Sequence, residues 1–311
     1  MQSSSHLFPV TLLATEMAGE LYEDVYLMNP GVSPDPTVRI AVTRVRDPAW
    51  QGDRSPVVLL HSEFGNRRQW LSPRGEGFAG LLARFGYDVW LPEMRGHGLS
   101  PHNREWAKGH VALLAGEDCV PVHRFVNEQS GTDPVWVGQG LGACIFAQAI
   151  VHNHQLLRSI PGVGFIDPGA PDSHWTEDEL SFFERLNLAR HDRVSGPLRN
   201  WGAEDEPSVL LRDLYRSQRR YRRGKRHPVY DGLRVVRCPS LTVSLDRDDE
   251  QAKAFASRLG GQIRQTLFAS PGDGGASGQA GFLSAAAQND MRAWLDEVCR
   301  TAHSPDVSRT L

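Results

Sequence analysis

Apolar and polar positions follow two periods along this chain, and the places where the period changes mark the elements. Residues 37–46 (PTVRIAVTRV) alternate near period two. With residues 15–29, across the Pro/Gly-rich turn NPGVSPDP, they predict an antiparallel hairpin. Residues 56–61 (PVVLLH) run apolar without interruption, as a strand covered on both faces does. A helix over 77–85 closes at Gly86, and the buried strand YDVWL follows. An amphipathic helix is predicted over 110–129. A short apolar strand, 134–137, then enters a turn with glycines at 138, 140 and 142, and an apolar helix spans 143–151. After a strand at 162–166 the pattern turns polar, Trp-rich and Arg-rich through 171–233, with Thr176 as a helix N-cap and Glu179 at the capping-box spacing. Strand 240–245, helix 249–259, strand 262–268 and a final helix over 282–298 complete the series. Alternating strands and helices place the chain in the α/β class, with a mainly parallel, doubly wound sheet.

Composition narrows the partners. Over 311 residues, 40% hydrophobic and 23% charged content supports a globular core, and a net charge of -3 gives no overall attraction to nucleic acid or to a membrane surface. No apolar run reaches the ~18 residues of a membrane span. The first seventeen residues lack a basic stretch ahead of their apolar part, and Pro9 interrupts it, so a cytoplasmic protein is expected. Cys119, Cys144, Cys238 and Cys299 are widely spaced and read as reduced core thiols. His152 and His154 form an H-x-H pair, but two positions along a helix do not share a face, so no metal site is expected. No cofactor is expected either.

The stretch WVGQGLGA, residues 136–143, is strand, sharp turn, helix. It resembles the nucleophile elbow of the α/β-hydrolase superfamily, whose G-x-S-x-G motif holds a serine at the tip of a strained turn. Two further stretches strengthen the resemblance: G-Y-D-V-W-L over 86–91, and R-G-x-G-x-S over 95–100, which is similar to the lipase and esterase branch. The resemblance implies an α/β-hydrolase fold with a core over 1–170 and 234–301, a helical cap inserted over 171–233, and a disordered tail over 302–311. In such enzymes Arg95 and His97 build a turn. The strand ending at His61 leads into the oxyanion loop, where Ser62 replaces a glycine, and the residue after the nucleophile, here Leu141, gives a second oxyanion N–H.

Position by position, the resemblance also exposes losses. The serine position is Gly140. The acid position, after the seventh core strand, matches Asp246 or Asp248. The histidine position, in the loop before the last helix, is Gln279, with Gly281 and Phe282 kept in register, and the glycine-rich stretch before it holds no histidine at any register. Glycine cannot attack a carbonyl, and the glutamine amide is no general base near neutral pH. Glycine also relieves the backbone strain that an elbow nucleophile carries, about 1–3 kcal/mol, so the shape can outlast the reaction.

Among substitutes, Cys144 lies one helical turn deeper and is expected to pack beneath the elbow, while Ser62 is better placed but has no obvious base. The segment 212–227 carries Arg219, Arg220, Arg222 and Arg223 among tyrosines, either a solvated cap face balanced by the acidic stretch 204–206 or an anion site. The expectation is a catalytically degenerate hydrolase homologue binding a small acyl or ester-like ligand or a partner. The alternative is an active ester or thioester hydrolase, or a related acyl-processing enzyme, that works without the triad.

Overall fold

The computed structural model describes residues 4–52, 54–168, 190–214, 230–245, 250–261, 264–268 and 282–303. They contain eleven strands: β1 (Val10–Ala18), β2 (Leu21–Met28), β3 (Ile40–Arg46), β4 (Pro56–Leu60), β5 (Asp88–Pro92), β6 (Val135–Gln139), β7 (Val163–Ile166), β8 (Arg193–Ser195), β9 (Asp205–Pro207), β10 (Ser240–Ser244) and β11 (Arg264–Phe268). Nine form one sheet in the order β1-β2-β3-β5-β4-β6-β7-β10-β11, and β8 pairs with β9 apart from it. From β5 to β11 every neighbouring pair is parallel, while β1, β2 and β3 attach antiparallel.

The predicted hairpin pairs Met28 with Ile40 through Tyr22 with Arg46. The stretch read as one strand over 15–29 is, however, two. Gly19, at φ +59°, turns the chain back at residues 19–20, and the preceding β1 becomes the outer strand of the sheet. Local alternation cannot reveal such a break, because both halves are compatible with a strand.

The continuous apolar run of β4 is explained by its central place. Val57 and Leu59 enter one core with Trp70, Phe78, Val89 and Trp294, while Val58 and Leu60 enter the other with Trp90, Trp136, Phe146 and Phe165. Successive side chains point to opposite faces, so a strand clad on both sides must be apolar at every position. Helix α1 (Phe78–Arg84) and the helix Ala285–His303 cover the first face. Helices α2 (Val111–Leu114), α3 (Val120–Ser130), α4 (Gly140–His152) and α5 (His154–Ser159) cover the second. A π-helical turn, Ala115–Cys119, joins α2 to α3, so the predicted helix over 110–129 is one helical run with a wide turn inside it. The last helix reaches His303, two residues into the stretch read as a tail.

Within the insertion between β7 and β10, β8 and β9 form a hairpin with Arg193 opposite Pro207 and Ser195 opposite Asp205. The sequence predicts a helical cap here, and the described residues add this short hairpin, which it did not predict. At three residues each its strands are too short to show a period. Thr176 and Glu179 lie outside the described residues.

Candidate functional site

The site is built where β6 meets α4. Trp136 anchors β6 by stacking on Phe146 of α4, with ring centroids 4.1 Å apart. At the end of the strand Gln139 is still extended, and Gly140 then takes φ +50° to begin the helix. That left-handed conformation costs an L-residue about 1–2 kcal/mol and glycine little. Gly142 serves closeness instead: a Cβ there would lie 2.3 Å from the His61 carbonyl oxygen, so its absence lets the loop after β4 press against the first turn of α4.

That loop is fixed residue by residue. His61 is fully buried. Its Nδ1–H donates to the Ser62 carbonyl at 2.8 Å, and its Nε2 accepts the Met94 N–H at 3.0 Å. Burial, aided by the charge of His97, pushes its pKa down to about 3, so it is a neutral structural imidazole. Ser62 gives its N–H to Gln69 Oε1 at 3.1 Å, and its hydroxyl donates to the same oxygen at 3.0 Å or to the Glu63 carbonyl at 3.3 Å. The Gln69 amide in turn bonds to Gln139 Oε1 on the elbow. Ser62 is thus oriented as a structural donor, its hydroxyl directed to Gln69 and to the Glu63 carbonyl.

Glu63 is the residue that the sequence did not single out. It is 3% exposed, and its Oε2 accepts the Leu141 N–H at 2.9 Å. The same oxygen lies 2.7 Å from the point where a Cβ on residue 140 would stand. A carboxylate therefore fills the space at Gly140 and takes up the first-turn amide of α4, where the helix dipole favours negative charge. A glutamate in a loop carries no local signal for this, since the contact spans 78 residues.

The next residue, Phe64, has φ +55° and is held from the other side by the β8–β9 hairpin. Its N–H donates to Glu206 Oε1 at 2.9 Å, its carbonyl accepts the Glu204 N–H at 3.0 Å, and its ring packs with Val194, Leu211 and Trp201. Glu206 Oε1 also accepts from His97 Nε2 at 3.0 Å, and His97 Nδ1 donates to the Arg95 carbonyl at 3.1 Å. Both ring nitrogens of His97 are therefore donors. Burial opposes its charge, but the attraction and hydrogen bond of Glu206 outweigh this and raise the pKa to about 9. Arg95 is clamped by Glu117 at 2.9 Å and Asp118 at 2.5 Å, both on the π turn. Burial lifts the Asp118 carboxyl to about 6 despite that arginine. Arg95 and His97 thus hold the turn, as the resemblance implies, and neither has a nitrogen free for proton transfer to a substrate.

At the end of β7, Asp167 takes φ +45°, and its Oδ1 accepts the Leu245 N–H at 2.9 Å, tying β7 to the end of β10. This second carboxylate stands beside the segment that leads to Asp246 and Asp248. Those two residues, Gln279, and Arg219, Arg220, Arg222 and Arg223 lie outside the described residues, so the structure brings together His61, Ser62, Gly140 and Leu141 from the sequence-predicted set. Cys144 is buried one turn into α4, and no disulfide joins the four cysteines. Among the described residues no cluster of His, Cys, Asp and Glu is arranged to hold a metal ion, and no helix is long and apolar enough to cross a membrane.

The fold is shared with lipolytic enzymes. A monoacylglycerol lipase of Paleococcus ferrophilus superposes with a TM-score of 0.54 at 14% identity, covering 85% of this chain and 98% of that one. A structure of metagenome-derived lipolytic enzymes, LipS and LipT, gives 0.54 at 17%, covering 80% and 95%. A hypothetical protein of Pseudomonas aeruginosa gives 0.60 at 10%, covering 92% and 99%. At these identities the likeness concerns the fold alone. In sequence, 118 residues are 30% identical to a Saccharomyces cerevisiae protein described as a probable alcohol acetyltransferase, over 36% of this chain and 31% of that protein. The chain thus matches about a third of that relative's length. The family model of the alpha/beta hydrolase family matches residues 57–305, most of the chain, and the nine-stranded, mainly parallel sheet agrees with it, so this chain belongs to the alpha/beta hydrolase family.

Proposed function

We propose that this chain is a hydrolase-family protein that has lost triad hydrolysis and retains the elbow region as a binding site for a small acyl or ester-like ligand or for a partner. One observation carries the reading: at Gly140 there is no side chain to act as nucleophile, and the Glu63 carboxylate lies in that space on the Leu141 N–H. Acyl transfer through a tetrahedral intermediate needs a nucleophile and free donors for the developing oxyanion. Here the Leu141 donor is already bonded to a carboxyl oxygen, so it is not free for an oxyanion. Gln279 at the histidine position supports the same reading from sequence.

The test is turnover of short- and long-chain esters and thioesters by the purified protein. The expected result is no saturable hydrolysis. Saturable turnover that survives purification and falls in Ser62→Ala or Asp246→Asn overturns the reading.

A second reading has its own support. The yeast relative is described as a probable alcohol acetyltransferase, so acyl processing is a chemistry found near this sequence. An acyl-processing enzyme without the triad would draw on Ser62 or on Asp246 or Asp248. Against it stands the Ser62 hydroxyl, buried and directed to Gln69 and the Glu63 carbonyl. Acyl exchange between a thioester and an alcohol, measured alongside hydrolysis, separates the two readings.

A further inference from the structure

The first turn of α4 already holds a carboxyl group of the chain itself. The helix has thirteen residues, and its Leu141 N–H is bonded to a carboxylate oxygen of a residue more than nine-tenths buried. Resting on the reading of this elbow as a binding site, we infer that Glu63 is the resident occupant of that site and decides which ligands the elbow admits. A carboxylate or an acyl oxygen reaches the Leu141 N–H only when the Glu63 side chain is withdrawn or shortened.

Three features make the occupancy a built one. The backbone on both sides of Glu63 is pinned: Ser62 by Gln69, and Phe64 by Glu204 and Glu206. The carboxylate can therefore leave only by rotating its own side chain. Next, the space it fills exists because residue 140 is glycine. A Cβ there would stand 2.7 Å from Glu63 Oε2 and 3.2 Å from the Ser62 Cβ, so Glu63 in this position and any larger residue at 140 exclude one another. Finally, the electrostatics suit a carboxylate, since the helix terminus and a backbone amide stabilise the negative charge. Glu63 and Gly140 act as one unit, in which a side chain from the neighbouring loop has replaced the missing elbow side chain. Any ligand that would place an oxygen on the Leu141 N–H competes with a group tethered to the site.

The test uses butyrate as the probe and the Leu141 amide resonance as the readout, in the full-length protein. In the wild type butyrate leaves this resonance unmoved. In Glu63→Ala it shifts the resonance saturably, with affinity at least about tenfold above any wild-type binding, as freeing the Leu141 N–H from its carboxyl partner implies. Glu63→Gln behaves like the wild type, because its amide oxygen accepts the same N–H. Glu63→Asp, one methylene shorter, opens the site and replaces Glu63→Ala if that variant fails to fold. Equal shifts of Leu141 in wild type and Glu63→Ala overturn the inference, as does an unmoved Leu141 in both folded shortened variants. Binding to Glu63→Gln as tight as to Glu63→Ala also overturns it, since like-charge repulsion alone would then explain the exclusion. None of these outcomes depends on ester turnover, so failure here leaves the proposed loss of hydrolysis to its own assay.

Discussion

Gly140→Ala is the perturbation whose size follows most directly from the geometry. The new methyl enters a residue at φ +50°, which costs about 1–2 kcal/mol for an L-amino acid. It also meets Glu63 Oε2 at 2.7 Å, so the carboxylate must move and the Leu141 hydrogen bond is lost. A hydrogen bond to a charged group contributes about 1.5–3 kcal/mol. Reduced freedom of the unfolded chain returns about 0.4–1 kcal/mol, leaving a net destabilisation of about 2–4 kcal/mol. Equilibrium unfolding in urea, followed by tryptophan fluorescence, measures it. The decisive number is the coupling. With Glu63→Ala already in place the methyl no longer meets the carboxyl and only presses on the Ser62 Cβ at 3.2 Å, so Gly140→Ala should then cost little beyond its backbone share, about 1 kcal/mol. A coupling energy below about 0.5 kcal/mol across this cycle would falsify the claim that Glu63 occupies the elbow in solution.

Further expectations concern the groups around it. His97 has its folded pKa raised to about 9, above the ordinary value of 6.5, so its pair with Glu206 contributes fully below pH 6.5 and is lost as pH rises through 9. The melting temperature should therefore fall more steeply over that interval in the wild type than in Glu206→Gln, and parallel curves would refute the pair. His61, held near 3, should show no ring titration between about pH 5 and 8 by nitrogen NMR; a midpoint in that window would contradict its buried, neutral state. Phe64→Ala removes the ring that packs with Val194, Leu211 and Trp201 and should cost about 3–5 kcal/mol. It should also speed proteolytic cleavage within 190–214, and unchanged cleavage there would mean that the β8–β9 hairpin does not depend on this contact.

The sheet was legible in the sequence wherever strands are short and local rules are strict. PVVLLH is apolar throughout because β4 has a core on each face, and the glycines around residue 140 announced the sharp turn before any helix was seen. The absence of a side chain at Gly140 is likewise a fact of sequence, and no folding can add one. The division of residues 15–29 into β1 and β2 was not legible, because Gly19 sits in a stretch whose two halves both suit a strand. Nor was the state of the elbow. Glu63, Phe64 and His97 are ordinary loop residues until contacts across 78, 142 and 109 positions bring Leu141 and Glu206 to them. A carboxylate in a loop is ordinarily solvated. This one is buried because a helix terminus and a missing Cβ meet it there, and neither can be read from the neighbours of Glu63 along the chain.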